Sequence, residues 1–221
     1  MGAISLENAD RLFWLGRYSE RVFTTIKLFV ISYDNMIDRD NNGYIDFCSS
    51  LDIPNIYKDR EDFLIRYNFD ETDPNSIISN LLRAYDNAII LREEIGSESL
   101  AHIQMAIYEI NKAKSSSSPM LEMQRVLDYI AAFWGTYDDI VEDETVRSFI
   151  KAGKRTERLD LYARTKAPKD MIIRELNRLK GRLKKTSLCF NESYLQEANT
   201  ILDMEEINYP RLLFLIENLY N

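Results

Sequence analysis

The chain has 221 residues, 45% of them hydrophobic and 29% charged, with 28 Lys/Arg against 36 Asp/Glu. That profile excludes a disordered chain, and seven Gly with five Pro are too few for an all-β chain of many tight turns. No stretch reaches the roughly 18 apolar residues of a membrane helix, and Met1 to Leu6 lack the basic and apolar regions of a signal peptide.

Ser5 is placed to cap a helix running from Leu6 to about Met36, along which Leu15, Tyr18, Val22 and Phe29 recur at helical spacing. Three consecutive large apolar residues, Phe13, Trp14 and Leu15, imply that this helix is buried on most sides. A polar loop follows over Asp38–Asn55, then a short helix around Lys58–Tyr67. Asp73 is a suitable N-cap and Pro74 a suitable first residue for a helix that stops at Gly96. Ser97 would cap the next helix, Glu98 to about Lys114. Ser115–Ser118 and Pro119 read as a flexible linker dividing a single domain, 1–221, into halves 1–114 and 119–221. Further helices are expected near 120–138, 143–165, 169–187, 192–203 and 210–220. No segment shows the alternation of a strand. The expectation is an all-α bundle of roughly eight helices.

The two halves share a motif. Gly16-Arg17-Tyr18-Ser19-Glu20-Arg21 recurs as Gly153-Lys154-Arg155-Thr156-Glu157-Arg158, a pattern of Gly-basic-x-x-Glu-Arg. Leu12-Phe13 and Phe149-Ile150 precede the two copies at the same offset, and Lys27 and Arg164 follow each Gly by eleven positions. This implies an internal pseudo-twofold repeat. Residues four apart stack on one helix face, so each Gly lies beneath its Glu. A helical Gly costs about 1 kcal/mol and usually marks close approach. Two helices crossing at these glycines would bring Glu20, Arg21, Glu157 and Arg158 together, with Arg17 and Lys154 beside them.

Such a cluster admits several roles. It is a buried salt-bridge quartet that fixes helix packing, or a polar pocket for a zwitterionic ligand or an acidic peptide end. With an exposed carboxylate, Glu20 or Glu157 would be a general base in a stand-alone enzyme. If sealed and fully paired, it fits a structural, dimerising bundle.

Charge is uneven along the chain. Residues 151–186 hold 13 Lys/Arg against 4 Asp/Glu, and the remainder holds 15 against 32. The basic stretch reads as a solvated face or a docking face for an acidic partner. It has few aromatic residues for base stacking, which argues against nucleic acid. His102 is the only histidine, and Cys48 and Cys189 are too few for a disulfide framework, so a cytoplasmic chain with free thiols is expected. Neither a Cys-His site nor zinc fits these positions, and no phosphate-cradling Gly-x-x-x-x-Gly-Lys loop is present. One local pattern has the outline of a calcium loop: Asp38, Asp40, Asn42, the Tyr44 carbonyl and Asp46 stand at its first five ligand positions, with Gly43 at the sixth residue. The twelfth position is Ser49 rather than a bidentate Glu, so binding would be weak, and the same residues suit a plain turn.

The run Asn8-Ala9-Asp10-Arg11-Leu12-Phe13-Trp14-Leu15-Gly16-Arg17-Tyr18-Ser19-Glu20-Arg21 resembles the opening of the alpha-E family, a bacterial helical domain named for its Glu-Arg motif. Asp70–Ile77 resembles that family's "DxxNPSSI" stretch, and Ala84-Tyr85-Asp86-Asn87-Ala88 stands where it has "ARENAR". There Tyr85 and Ile89 replace arginines, while Asn87, Ala88 and Arg92 agree. Glu144–Arg164 resembles the second Glu-Arg helix, keeping Glu144, Gly153, Glu157, Arg158, Ala163 and Arg164. The resemblance covers about residues 5–166 and adds Asn87 and Arg92 to the candidate ligand-binding residues. It implies company with circularly permuted ATP-grasp ligases, and hence an accessory or substrate-binding role in peptide or amide bond formation. A peptide or amine would be the substrate. The nucleotide would bind the partner, leaving this chain without a cofactor of its own.

Overall fold

The computed structural model of the chain describes residues 4–38 and 40–220. Its architecture is all-α, with eleven helices among the described residues. They are α1 (Leu6–Asp38), α2 (Gly43–Leu51), α3 (Arg60–Phe69), α4 (Ile77–Ile90), α5 (Arg92–Ile95), α6 (Ser97–Lys114), α7 (Pro119–Ile140), α8 (Glu144–Arg164), α9 (Lys169–Leu183), α10 (Glu192–Asp203) and α11 (Tyr209–Glu217). None is long and apolar enough to cross a membrane.

Capping chemistry explains most of the boundaries. The Ser5 hydroxyl accepts from the Asn8 amide at 3.1 Å and starts α1. Pro119 opens α7, Asp143 accepts from the Thr145 and Val146 amides to open α8, and Asn191 and Asn208 do the same for α10 and α11. Four boundaries differ from expectation. The polar loop after α1 contains α2, because Tyr44, Phe47, Cys48 and Leu51 form an apolar stripe that buries against the core. Asp73 is not the cap of α4. It accepts from the Asn75 amide in a turn, and the Ser76 hydroxyl, accepting from the Ser79 amide, is the cap. That helix also ends early, at Ile90, and a single turn, α5, reaches Gly96. Gly96 has φ of 81°, where L side chains are strained, and there the chain turns into α6 without a side-chain cap from Ser97.

Helices α1 and α8 pack along one another at the centre. On one side lie α4, α6 and α7; on the other lie α9 and α11. Two apolar clusters result. The larger one spans α1 to α7 and includes Val146, Phe149, Ile150 and Leu161 of α8. The smaller one joins Phe13, Ala152, Leu159 and Ala163 to α9, α10 and α11. The core therefore does not divide at Ser115–Ser118, where the chain simply reverses so that α7 packs on α6. Nor do the flanking elements repeat, since six helices separate α1 from α8 and three follow α8. Trp14 is 37% exposed rather than buried. It stacks near Tyr18 at 5.3 Å and lies beneath the Arg17 guanidinium.

Candidate functional site

The repeated motif meets itself where α1 and α8 cross. A Cβ on Gly16 would overlap the Ile150 carbonyl and come within 2.9 Å of the Lys154 amide nitrogen. A Cβ on Gly153 would overlap the Phe13 carbonyl and come within 3.2 Å of the Arg17 amide nitrogen. Both glycines are there because backbone touches backbone.

Close approach lets short carboxylates reach across. The Glu20 carboxylate accepts from Arg158 Nε at 2.6 Å and Nη2 at 2.8 Å, a two-pronged pair, and from the Thr24 hydroxyl at 2.7 Å. The Glu157 carboxylate accepts from Arg17 Nε at 2.8 Å and from Arg21 Nε. Glu20 is 0% exposed and Glu157 1%. Burial alone would raise the Glu157 carboxyl, but Arg21 and Arg17 hold it below its ordinary value. Burial likewise pulls Arg21 and Arg158 down, and their glutamates more than offset it. Both motif carboxylates are sealed and occupied by arginines. They have neither the exposure nor the free lone pairs of a general base.

The network extends beyond the motif. Buried Glu175 of α9 accepts from Arg155 at 2.7 Å and from Arg178 at 2.7 Å, and lies 3.9 Å from Arg158. Buried Asp160 accepts from Arg164 Nε at 2.9 Å, and Arg164 also pairs with Asp52 at 3.2 Å and with Glu217. The sequence reading missed Glu175, Arg155 and Asp160. The one available signal was that 155, 157, 158 and 160 form a charged run on a helix that must also be a core helix. Lys27 and Arg164 are not equivalent: Lys27 is exposed over the Phe23 ring.

Lys154 departs from its counterpart Arg17. Its ammonium makes no hydrogen bond or ion pair among the described residues and sits 3.6 Å from the centre of the Trp134 ring. Burial pulls it down to about 7, against the opposing pull of Glu20.

Asn87 and Arg92 do not join this cluster. Asn87 accepts from Arg11 at 3.4 Å beside Trp14 and Tyr18, and exposed Arg92 donates to the Ser97 hydroxyl at 2.9 Å. His102 bonds to the Thr136 hydroxyl at 2.9 Å, and buried Cys48 has its thiol pushed up to about 11, first by burial. The calcium-loop pattern takes another form. Residues from Gly43 onward are helical, so Tyr44 and Asp46 lie on α2 rather than in an open loop, while Asp40 accepts from the Asn42 amide at 2.9 Å. The Asp38 side chain lies outside the described residues. Among those described, no three His, Cys, Asp or Glu side chains gather to hold a metal ion.

A polar cavity of about 120 Å³ opens beside the Arg21 end of the network, walled by Arg21, Asn75, Tyr67, Asp160 and Arg164. A larger groove of about 430 Å³ between α1 and α2 is mostly apolar, and its charged walls are Asp40 and Asp46.

A family model described as a predicted alpha-helical domain with a conserved ER motif matches residues 7–187. No curated protein and no solved structure matches the chain.

Proposed function

The chain belongs to the Alpha-E family, and from that premise we propose that it is a non-catalytic, substrate-binding partner of an ATP-grasp ligase in peptide or amide bond formation. The observation that carries the non-catalytic part is the closure of Glu20 and Glu157. The two carboxylates that define the motif are consumed by arginines, so the motif is a packing device and not an acid-base pair. The cavity beside Arg21, at about 120 Å³, is below the ~300–1,000 Å³ of sites for larger organic ligands, and this reading assigns the nucleotide to the partner. The ligase itself is inferred from the company the family keeps. The docking face for it is α9 and its C-terminal end, where exposed Arg174 and Lys184 have no counter-charge among the described residues. The setting is the cytoplasm, where Cys48 and Cys189 stay reduced.

Size-exclusion with light scattering tests this, using the purified chain and the ATP-grasp protein encoded nearest to it, with and without ATP. A stable complex under either condition is expected. Its absence under both removes the ligase reading and leaves the Glu-Arg crossing as the core of a structural bundle, whose self-association the same run would register.

A further inference from the structure

We propose that the cavity between α1, α3 and α8 is a receptor for a small free α-amino acid, its carboxylate on Arg21 and its ammonium on Asp160. This rests on the substrate-binding half of the function proposed above and supplies the substrate class.

The first observation is unspent hydrogen-bonding capacity. Arg21 uses Nε on Glu157, and its two terminal nitrogens make no hydrogen bond among the described residues. Asp160 offers Oδ2 to Arg164, and its Oδ1 accepts none. The Asn75 side-chain amide is likewise unused, its backbone alone being engaged by Asp73. All three residues wall the same cavity. The Arg21 side chain is 34% exposed, so its two free terminal nitrogens are reachable from the cavity mouth, and a carboxylate matches that fork.

The second observation is the charge of the wall. It carries two guanidinium groups, Arg21 and Arg164, and two carboxylates, Asp52 and Asp160. A wall that bears both signs and no net charge suits a zwitterion better than an anion or a cation.

The third observation is size. About 120 Å³ holds several waters or one small organic molecule, and not a nucleotide or a folded peptide segment. Burial keeps the Tyr67 hydroxyl protonated beside Thr25, so it remains a neutral donor in the wall.

The test is calorimetric titration of the chain alone with glycine, L-alanine and L-serine, set against N-acetylglycine, which lacks the ammonium, and glycinamide, which lacks the carboxylate. Saturable binding of at least one free amino acid is expected, with each blocked analogue at least tenfold weaker. Asn75→Leu fills the cavity without removing an internal hydrogen bond, and should abolish binding while the melting temperature holds. No saturable binding of any free amino acid overturns the proposal, and so does a blocked analogue that binds as well as its parent. The wild-type comparison stands even if the variant misfolds. An amino acid bound without a ligase complex would sink only the ligase reading, and a complex without amino-acid binding would sink only this one.

Discussion

Gly16 and Gly153 each lie against the backbone of the other's helix, Gly16 on the Ile150 carbonyl and Gly153 on the Phe13 carbonyl. The contact is reciprocal, and every charged pair of the repeated motif depends on it. Gly16→Ala and Gly153→Ala should each destabilise by about 2 kcal/mol, because overpacking against backbone that cannot give way costs about 3 kcal/mol, the upper end of its usual range, against the ~1 kcal/mol gained in helix propensity. Gly135 and Gly181 are helical glycines with open space around them. Alanine there should stabilise by up to about 1 kcal/mol. Urea unfolding of the four variants checks the contrast. Equal effects at all four sites would contradict the close approach.

Glu157→Gln leaves Arg17 and Arg21 without a buried counter-charge and should cost about 3–5 kcal/mol, with Glu20→Gln comparable through Arg158. The pH dependence has a definite sign. The Glu157 carboxyl is held below its ordinary value of 4.5, so its contribution is present above that pH and is lost as pH falls through the lowered value. Melting curves from pH 6 to pH 3 should fall more steeply for the native chain than for Glu157→Gln.

Lys154 is a penalty rather than a contribution, and it too makes stability rise with pH. Burial brings its folded value down to about 7 from 10.5, so the folded chain holds fewer protons than the unfolded one between those values. Its penalty on stability is complete below about pH 7 and is relieved as pH rises toward 10.5. Relative to Lys154→Met, which keeps the contact with Trp134, the native chain should gain stability over that window. Chemical denaturation at pH 6.5 and pH 9.5 measures it, and parallel curves would show that the ammonium is solvated.

Arg174→Glu and Lys184→Glu alter exposed positions of the α9 region that pair with nothing described. Each should leave stability within about ±0.5 kcal/mol. Each should also weaken the ligase complex, most visibly at low salt. Light scattering of the variant mixtures at two salt concentrations reads this out. Unchanged association would move the docking face off α9.

Much of the fold was legible because helices announce themselves by period and cap. Ser5, Pro119, Asp143 and Pro210 mark real starts, and the crossing of the two Glu-Arg helices follows from a pair of glycines four residues before a pair of glutamates. α2 was hidden for a local reason. Tyr44, Phe47, Cys48 and Leu51 have helical spacing, but Asp40, Asn42 and Gly43 just before them carry stronger turn signals. Asp73 and Ser76 both suit an N-cap, and only the turn made by Asp73 decides between them. Glu175 was beyond reach because its pairing with Arg155 joins two helices at a separation of twenty residues, which no helical period encodes. The cavity was equally illegible, since Asn75, Tyr67 and Asp160 meet only when α3, α4 and α8 are in place.

α8 contributes to both apolar clusters, turning Phe149, Ile150 and Leu161 toward one and Ala152, Leu159 and Ala163 toward the other. The family match stops at residue 187, before α10 and α11 begin. Of these, α11 packs on the outer side of α8 while α10 packs on α9 and α11, and Tyr220 reaches back to lie edge-on to Phe13 at 4.8 Å. A fragment cut at the end of the family match would thus expose an apolar wall on the same helix that carries Glu157 and Arg158. The family match ends inside the span of one apolar cluster rather than at its edge.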